Sequence, residues 1–435
     1  MIKPQEFKKR RTQLMKIAGE NSIIILNGRA EYLRNGDVHY GYRQDSDLYY
    51  LSGFNEPDAV LVLCPGSEFG DHLMFCREAD PLKIIWDGPM LGTKGVEDDL
   101  GFDAAFDIKQ IDQMMPQLMQ GREKIMFKLG EDAAFDQKIS QWMKSIESRK
   151  WHKSPVPEEL MSISHAIHDM RLYKSNEEIK CMKKSADLAS RAHIRMMQAC
   201  QPGKHEYDLQ AEFMHELVKN QSHPSYPPII GSGDNACILH YINNNQAIKD
   251  GDMVLIDAGA EYDFYASDIT RTFPANGKFS ARQKDLYQVV LQSQYDAIEQ
   301  VQVGKHWHAP HDAAVKTLSQ GLLDLKILKG SLDQVLEERL YAQYYMHMTG
   351  HWLGLDVHDC GDYRVDDLWI ELEENMVLTV EPGVYIGQNT KAPDAWKGIG
   401  IRIEDDIQVT KKGPKILSEN APKTIEEIEA IMNQL

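Results

Sequence analysis

Long apolar runs are missing from this chain. No stretch approaches the ~20 apolar residues of a membrane helix. The basic opening, MIKPQEFKKRRTQLMKIAGENSIIILNG, has no secretory core, and its apolar residues 23–26 are enough only for a strand. Cysteine is sparse: six residues, at 64, 76, 181, 200, 237 and 360, none in a Cys-x-x-Cys pair. That argues against a disulfide framework and leaves a reduced, cytoplasmic setting as the expectation. Positive charge is in deficit, with Lys+Arg 48 against Asp+Glu 66 and a net −18. Nucleic acid and anionic membrane are therefore disfavoured as partners. The first 150 residues also lack a glycine-rich phosphate loop.

What is present is enough for two or three full-sized domains in 435 residues. Up to about residue 150, short apolar runs alternate with helical patterns. Strands are expected at 23–26, 48–51, 60–63, 73–76 and 124–128, and helices at 109–119 and 136–148, giving an α/β domain over 1–155. The clusters Arg43-Gln44-Asp45-Ser46-Asp47 and Trp86-Asp87-Gly88-Pro89 read as loops. Ser154-Pro155-Val156-Pro157 marks a linker, taken over 156–171, with a short helix expected from Glu158. A second domain follows over 172–435. Ser175 with Glu178 forms a capping box that opens a long helix, which Pro202-Gly203 stops. Another helix is expected at 207–219. Ser280 with Gln283 is a second capping box, and a further helix is expected at 310–325. Each helix pair leads on to a strand pair, so the domain reads as an internal duplication.

The first strand pair, MVLIDAGAEYDFYASDITRTFP, carries Asp257 and Asp268. A two-residue turn at 262–263 makes them direct cross-strand neighbours, with Cβ atoms roughly 5 Å apart. Like charges so placed share a proton, hold a cation, or stay solvated at the surface. Gly259 is a candidate bulge that would break this register. In the second pair, LTVE at 378–381 returns as IGIRIE at 399–404, and pairing Ile386 with Ile399 sets Glu381 opposite Glu404. Arg402 falls on the same face as Glu404 and would keep the carboxylates ionised. Four carboxylates meeting in one place need cations, and two divalent ions would balance them. A neutral nitrogen ligand would come from one of His347, His351 and His358. A His-x-x-x-His zinc helix is rejected, since its glutamate is missing and Gly350 breaks the helix.

The segments IDAGAEYDFYASDITRTFP, HMTGHWLGLDVHD, LTVEPGVYI and GIGIRIEDDI resemble the aminopeptidase P and prolidase family, with its pita-bread catalytic domain. RQDSDLYYLSGFNEPDAVLVL is similar to the amino-terminal domain of the bacterial aminopeptidases P. The resemblance covers nearly the whole chain. It implies that Asp257, Asp268, His351, Glu381 and Glu404 bind two divalent ions, usually manganese. It implies substrate contacts from His240, His347, His358 and Tyr385, and a brace from Arg402. Trp86 would lie in a loop presented to a neighbouring subunit, so a homo-oligomer, dimer or tetramer, is implied. The expected activity is release of the first residue from peptides with proline second, by a hydroxide bridging the metals. Glu381 would take and return its proton, with His240 and His358 on the oxyanion. The alternatives are a dipeptide-restricted prolidase, a methionine aminopeptidase relative, and a non-enzymatic binder on the same fold. The filled ligand set argues against the creatine-hydrolysing and non-enzymatic relatives.

Overall fold

The computed structural model describes residues 2–147 and 155–433, which form two compact units, 1–171 and 172–435. Ser148, the expected end of a helix, and Ser154, the first residue of the expected linker, lie outside the described residues.

The first unit is built on one six-stranded sheet. Its strands are β1 Ser22–Asn27, β2 Val60–Leu63, β3 His72–Cys76, β4 Ala104–Asp107, β5 Lys124–Phe127 and β6 Glu159–Ser162, in the order β4-β3-β2-β1-β5-β6. β1–β5, β3–β4 and β5–β6 are parallel pairs; β1–β2 and β2–β3 are antiparallel. Buried Ile23, Ile25, Val62, Leu73, Phe75 and Ile125 join the helices Ile111–Met119 and Ala133–Glu147 in one core.

Three expectations fail here. Residues 48–51 are helical, within Ser46–Ser52, rather than a strand. Asp45 caps that helix by accepting from the N–H groups of Asp47 and Leu48, and Gly53 ends it in the left-handed region. Every residue of the helix is buried, so LYYL shows none of the one-sided periodicity that marks a surface helix. Trp86 sits on a short helix, Pro81–Asp87, capped by Asp80, not in a loop. The 156–171 stretch expected as a linker supplies strand β6 and most of the helix Ser164–Leu172, and Glu158 starts no helix.

The second unit follows the expected helix pattern closely. Helices Asn176–Ala199 and Ala281–Ile298 both open with complete capping boxes, Ser175–Glu178 and Ser280–Gln283. Glu206–Lys219 packs on the first, and Ala309–Asp324 on the second. Strands β7 Ile229–Ser232, β8 Met253–Asp257 and β11 Thr270–Pro274 form one sheet, while β9 Ala260–Tyr262 and β10 Tyr265–Ala266 continue the hairpin toward its tip. In the second half, β12 Val377–Val380 pairs with β15 Asp405–Thr410, and β13 Gly383–Ile386 with β14 Ile399–Arg402. A continuous apolar core runs from Leu188 and Phe213 through Val254 and Phe273 to Val384 and Ile403.

The two hairpins are laid against each other by named contacts. The Glu404 N–H donates to the Thr270 carbonyl at 3.1 Å, and the Asp268 N–H to Asp406 at 3.1 Å. Thr272 Oγ accepts from the Arg402 N–H at 3.2 Å. Beside them Arg271 and Asp405, both wholly buried, pair at 2.7 Å, and Lys423 reaches the other Asp405 oxygen at 2.6 Å. Removing one partner of such a pair costs about 3–5 kcal/mol.

Candidate metal centre

The first hairpin does not pair as expected. Asp257 faces Thr270, not Asp268, so the register is offset by two residues. The turn is made by Asp263 and Phe264, both at positive φ (52° and 70°), rather than by 262–263. Gly259 makes no bulge. It lies directly across from Asp268, where an added Cβ would stand 1.7 Å from the Ser267 carbonyl oxygen. Asp257 and Asp268 thus share a face as diagonal neighbours, and they still meet. Tyr226 Oη lies 2.5 Å from a carboxylate oxygen of each. The second hairpin keeps its expected register: Val380 faces Asp405 and Gly383 faces Arg402, which sets Glu381 across from Glu404.

A cavity of about 240 Å³ receives both hairpins. Asp257, Asp268, Glu381, Glu404, His351 and Arg402 line it, with His240, His347 and His358. The loop 345–359 brings in His347, His351 and His358. It passes so close over β12 that a Cβ on Gly350 would stand 2.0 Å from the Thr379 carbonyl oxygen. The His351 N–H donates to Thr379 Oγ and the Glu381 N–H to the Thr349 carbonyl, which pins the loop to the strand end.

Each ring has a definite orientation. His351 Nδ1 bonds the Trp352 carbonyl at 2.9 Å, leaving Nε2 toward Asp268 (3.3 Å) and Glu381 (3.7 Å). His347 Nδ1 bonds the Met348 carbonyl at 2.7 Å, so its Nε2 accepts from Tyr385 Oη at 2.8 Å. Tyr385 Oη in turn accepts from Arg402 Nη1 at 2.9 Å. Arg402 also donates to Asp257 at 2.6 Å and to Thr270 Oγ at 3.1 Å. Thr270 Oγ passes its proton toward Glu404 at 2.6 Å. Tyr385, expected to touch substrate, is buried behind His347 and is not one of the lining residues. His240 and His358 are exposed at the cavity, the latter with its ring edge-on to His351. Trp86 belongs to the first unit and is 87 % exposed there.

The electrostatics of the donor set suit a bound cation. Burial drives Asp257 up to about 6 and Glu381 up to about 7, against the opposing pull of Arg402 and, for Glu381, His351. Burial and the charges of Asp268, Glu381 and Asp257 push Glu404 well above the carboxylate range. Burial disfavours a charged His351, but the Asp268 hydrogen bond and the nearby acids raise it to about 9. Burial beside Arg402 lowers His347 to about 3 and keeps it neutral. Burial acts to raise Asp268, but the charge of His351 and the hydrogen bonds from His351 and Tyr226 bring it below the ordinary carboxylate value. The group is a cluster of buried acids around one histidine, a donor set that suits a cation. The ligand atoms of Asp268, His351 and Glu404 all lie within 4.8 Å of one another. One divalent ion with bonds of about 2.0–2.2 Å fits there with little movement, and His351 presents the nitrogen its own hydrogen bond leaves free.

Tyr226, Thr270 and Thr349 carry or orient this group, and the sequence does not single them out. Tyr226 lies in the proline-flanked stretch SYPP, which reads as plain loop. The threonines read as ordinary strand or turn residues.

Residues 180–411 match metallopeptidase family M24, and residues 7–127 match the aminopeptidase P N-terminal domain. The chain is 40 % identical to a Xaa-Pro aminopeptidase of Haemophilus influenzae over 436 residues, covering 99 % of this chain and 97 % of that one. The structure of the Pseudomonas aeruginosa aminopeptidase PepP is similar at a TM-score of 0.97 and 47 % identity, over 99 % of this chain and 98 % of that one. A zinc-substituted Escherichia coli aminopeptidase P in complex with product is similar at a TM-score of 0.96 and 40 % identity, with the same coverage.

Proposed function

The chain belongs to metallopeptidase family M24, and from that premise we propose that it is a metallo-exopeptidase releasing the first residue of peptides with proline second. The convergence of Asp257, Asp268, His351, Glu381 and Glu404 on one cavity carries this reading. It is supported by the names of relatives that match the chain from end to end, which are Xaa-Pro aminopeptidases. Those names do not favour the prolidase alternative.

In this proposal the five residues hold two divalent ions. Four carboxylates and one imidazole form a hard, oxygen-rich set that suits Mn²⁺. When bound, such ions lower the pKa of water and polarise the scissile carbonyl. Every other part belongs to the chain. Glu381, on the cavity wall between His347 and His351, takes a proton from water and returns it to the leaving proline nitrogen. His240 and His358 donate to the developing oxyanion. Arg402 keeps Asp257 ionised and fixed in place. Neutral His347 bounds the proline side, where selectivity must come from shape because an imide nitrogen has no N–H.

The exposed Trp86, on a helix with no buried residue, supports a place at a neighbouring subunit of a homo-oligomer. Six scattered cysteines, none in a Cys-x-x-Cys pair, support a reducing cytoplasm.

The test compares Xaa-Pro dipeptides with Xaa-Pro-Yaa peptides, with and without added Mn²⁺, alongside metal analysis. Cleavage of the longer peptides that is lost on chelation and restored by metal is expected. Turnover of dipeptides alone, or full activity after exhaustive chelation, would overturn the reading.

A further inference from the structure

The carboxylate of Glu206 stands outside the cavity, at the start of the helix Glu206–Lys219, and is wholly buried. Its oxygens gather five donors. Oε1 accepts from the Ser232 N–H at 2.8 Å, from Ser232 Oγ at 2.9 Å and from Asn235 Nδ2 at 3.1 Å. Oε2 accepts from Tyr241 Oη at 2.8 Å and from the Gln246 N–H at 3.0 Å. The Glu206 N–H adds a bond to the Gln246 carbonyl at 3.0 Å. A buried carboxylate is costly unless its lone pairs are satisfied, and here the donors of one segment satisfy them.

That segment, 232–246, carries His240. Beyond a short 3₁₀ turn at Gly233–Cys237 it has no regular structure until β8 begins at Met253. Its shape therefore has to come from side chains. Glu206 ties the first residue, the last residue and Tyr241, the immediate neighbour of His240. Further support comes from Asn244, whose Oδ1 accepts from the Ile230 N–H and whose Nδ2 donates to the Pro228 carbonyl, and from Gln388, whose Nε2 donates to Asp234 Oδ1 at 2.9 Å. The His240 ring itself is exposed at the cavity.

We infer that Glu206 is a positioning residue: its carboxylate sets the path of 232–246 and, through Tyr241, the place of His240 at the cavity. This rests on the proposed contact between His240 and substrate.

Glu206→Gln tests it. The amide keeps the size of the side chain but replaces one accepting oxygen with a donor, which must then face two or three donors of the segment. Turnover of an Xaa-Pro-Yaa tripeptide is measured in the wild-type and His240→Ala backgrounds, with hydrogen exchange along the metal-loaded chain. Metal content should be unchanged, and exchange should quicken within 232–246 while the other segments keep their rates. The kcat/KM should fall about tenfold in the wild-type background and less than about twofold in His240→Ala, since residues acting as one unit are not additive. Glu206→Asp, which keeps both acceptors, should restore part of the loss. Equal losses in the two backgrounds, or unchanged exchange in 232–246, would overturn the inference. A wild-type rate for His240→Ala alone would instead sink the substrate role of His240, and the exchange data would still decide whether Glu206 holds the segment. If Glu206→Gln fails to fold, Tyr241→Phe removes only the donor beside His240 and goes through the same cycle.

Discussion

Arg402 divides one buried guanidinium among Asp257, Thr270 and Tyr385, and so ties the two hairpins and the His347 loop at one point. A lysine there could keep the charge but not the planar fork. Arg402→Lys should lower metal affinity and kcat by roughly 10–100-fold, the usual effect of losing an outer partner of a ligand; metal titration and steady-state kinetics on the same preparation would check it. Asp268→Ala and Glu404→Ala should go further and lose metal and turnover together, and a fully active, metal-loaded variant of either would refute the site. These acids were legible in the sequence because each sits at or beside an apolar β run, where a solvated surface charge is out of place. Tyr226 and Thr270 were not, since their role depends on which distant carboxylates come within reach of their hydroxyls.

The hairpins show what a strand pattern leaves open. Both pairs of strands were legible, and for the second, the apolar alternation and the Ile386–Ile399 pairing gave the observed register. For the first, the pattern reads with a turn at 262–263, and this is wrong by one position: the chain turns at 263–264, with Asp263 and Phe264 at positive φ. An offset of two residues keeps every side chain on its expected face, so Asp257 and Asp268 still meet. Gly259 fixes this arrangement, because any Cβ there runs into the Ser267 backbone rather than a side chain that could move. Gly259→Ala should destabilise the unit by about 1–3 kcal/mol or more, read as a fall in melting temperature with loss of bound metal. A stable, metal-binding variant would show that the close approach is not needed. The Ser46–Ser52 helix reads as a strand for a related reason: a short apolar run buried on all sides has no periodicity to tell helix from strand.

Across the whole molecule, the acids couple stability, metal and pH. Below pH 9 the metal-free protein keeps a proton on His351, whose folded pKa is about 9 against about 6.5 when unfolded. The folded state then binds more protons than the unfolded state between these values, so stability is present at the lower pH and is lost as pH rises from about 6.5 to 9. Chelated protein should therefore melt at lower temperature at pH 8.5 than at pH 6.5. Divalent metal should remove or reverse this slope, because it displaces the same protons and binds more tightly as pH rises. A pH-independent melting temperature after chelation would contradict the raised His351. The sequence by itself determined the kinds of chemistry available: acids at the ends of apolar strands, a histidine-rich loop, two capped helix pairs and the motifs that place the chain in its family. These are local features, encoded by neighbours along the chain. The tertiary structure alone decided which atoms meet. It chose the turn that sets Asp257 diagonal to Asp268, buried Tyr385 behind His347, and closed Glu206 over the segment carrying His240. Those outcomes follow from packing and hydrogen-bond satisfaction between residues 11 to 40 positions apart in the chain, and no local pattern carries that information.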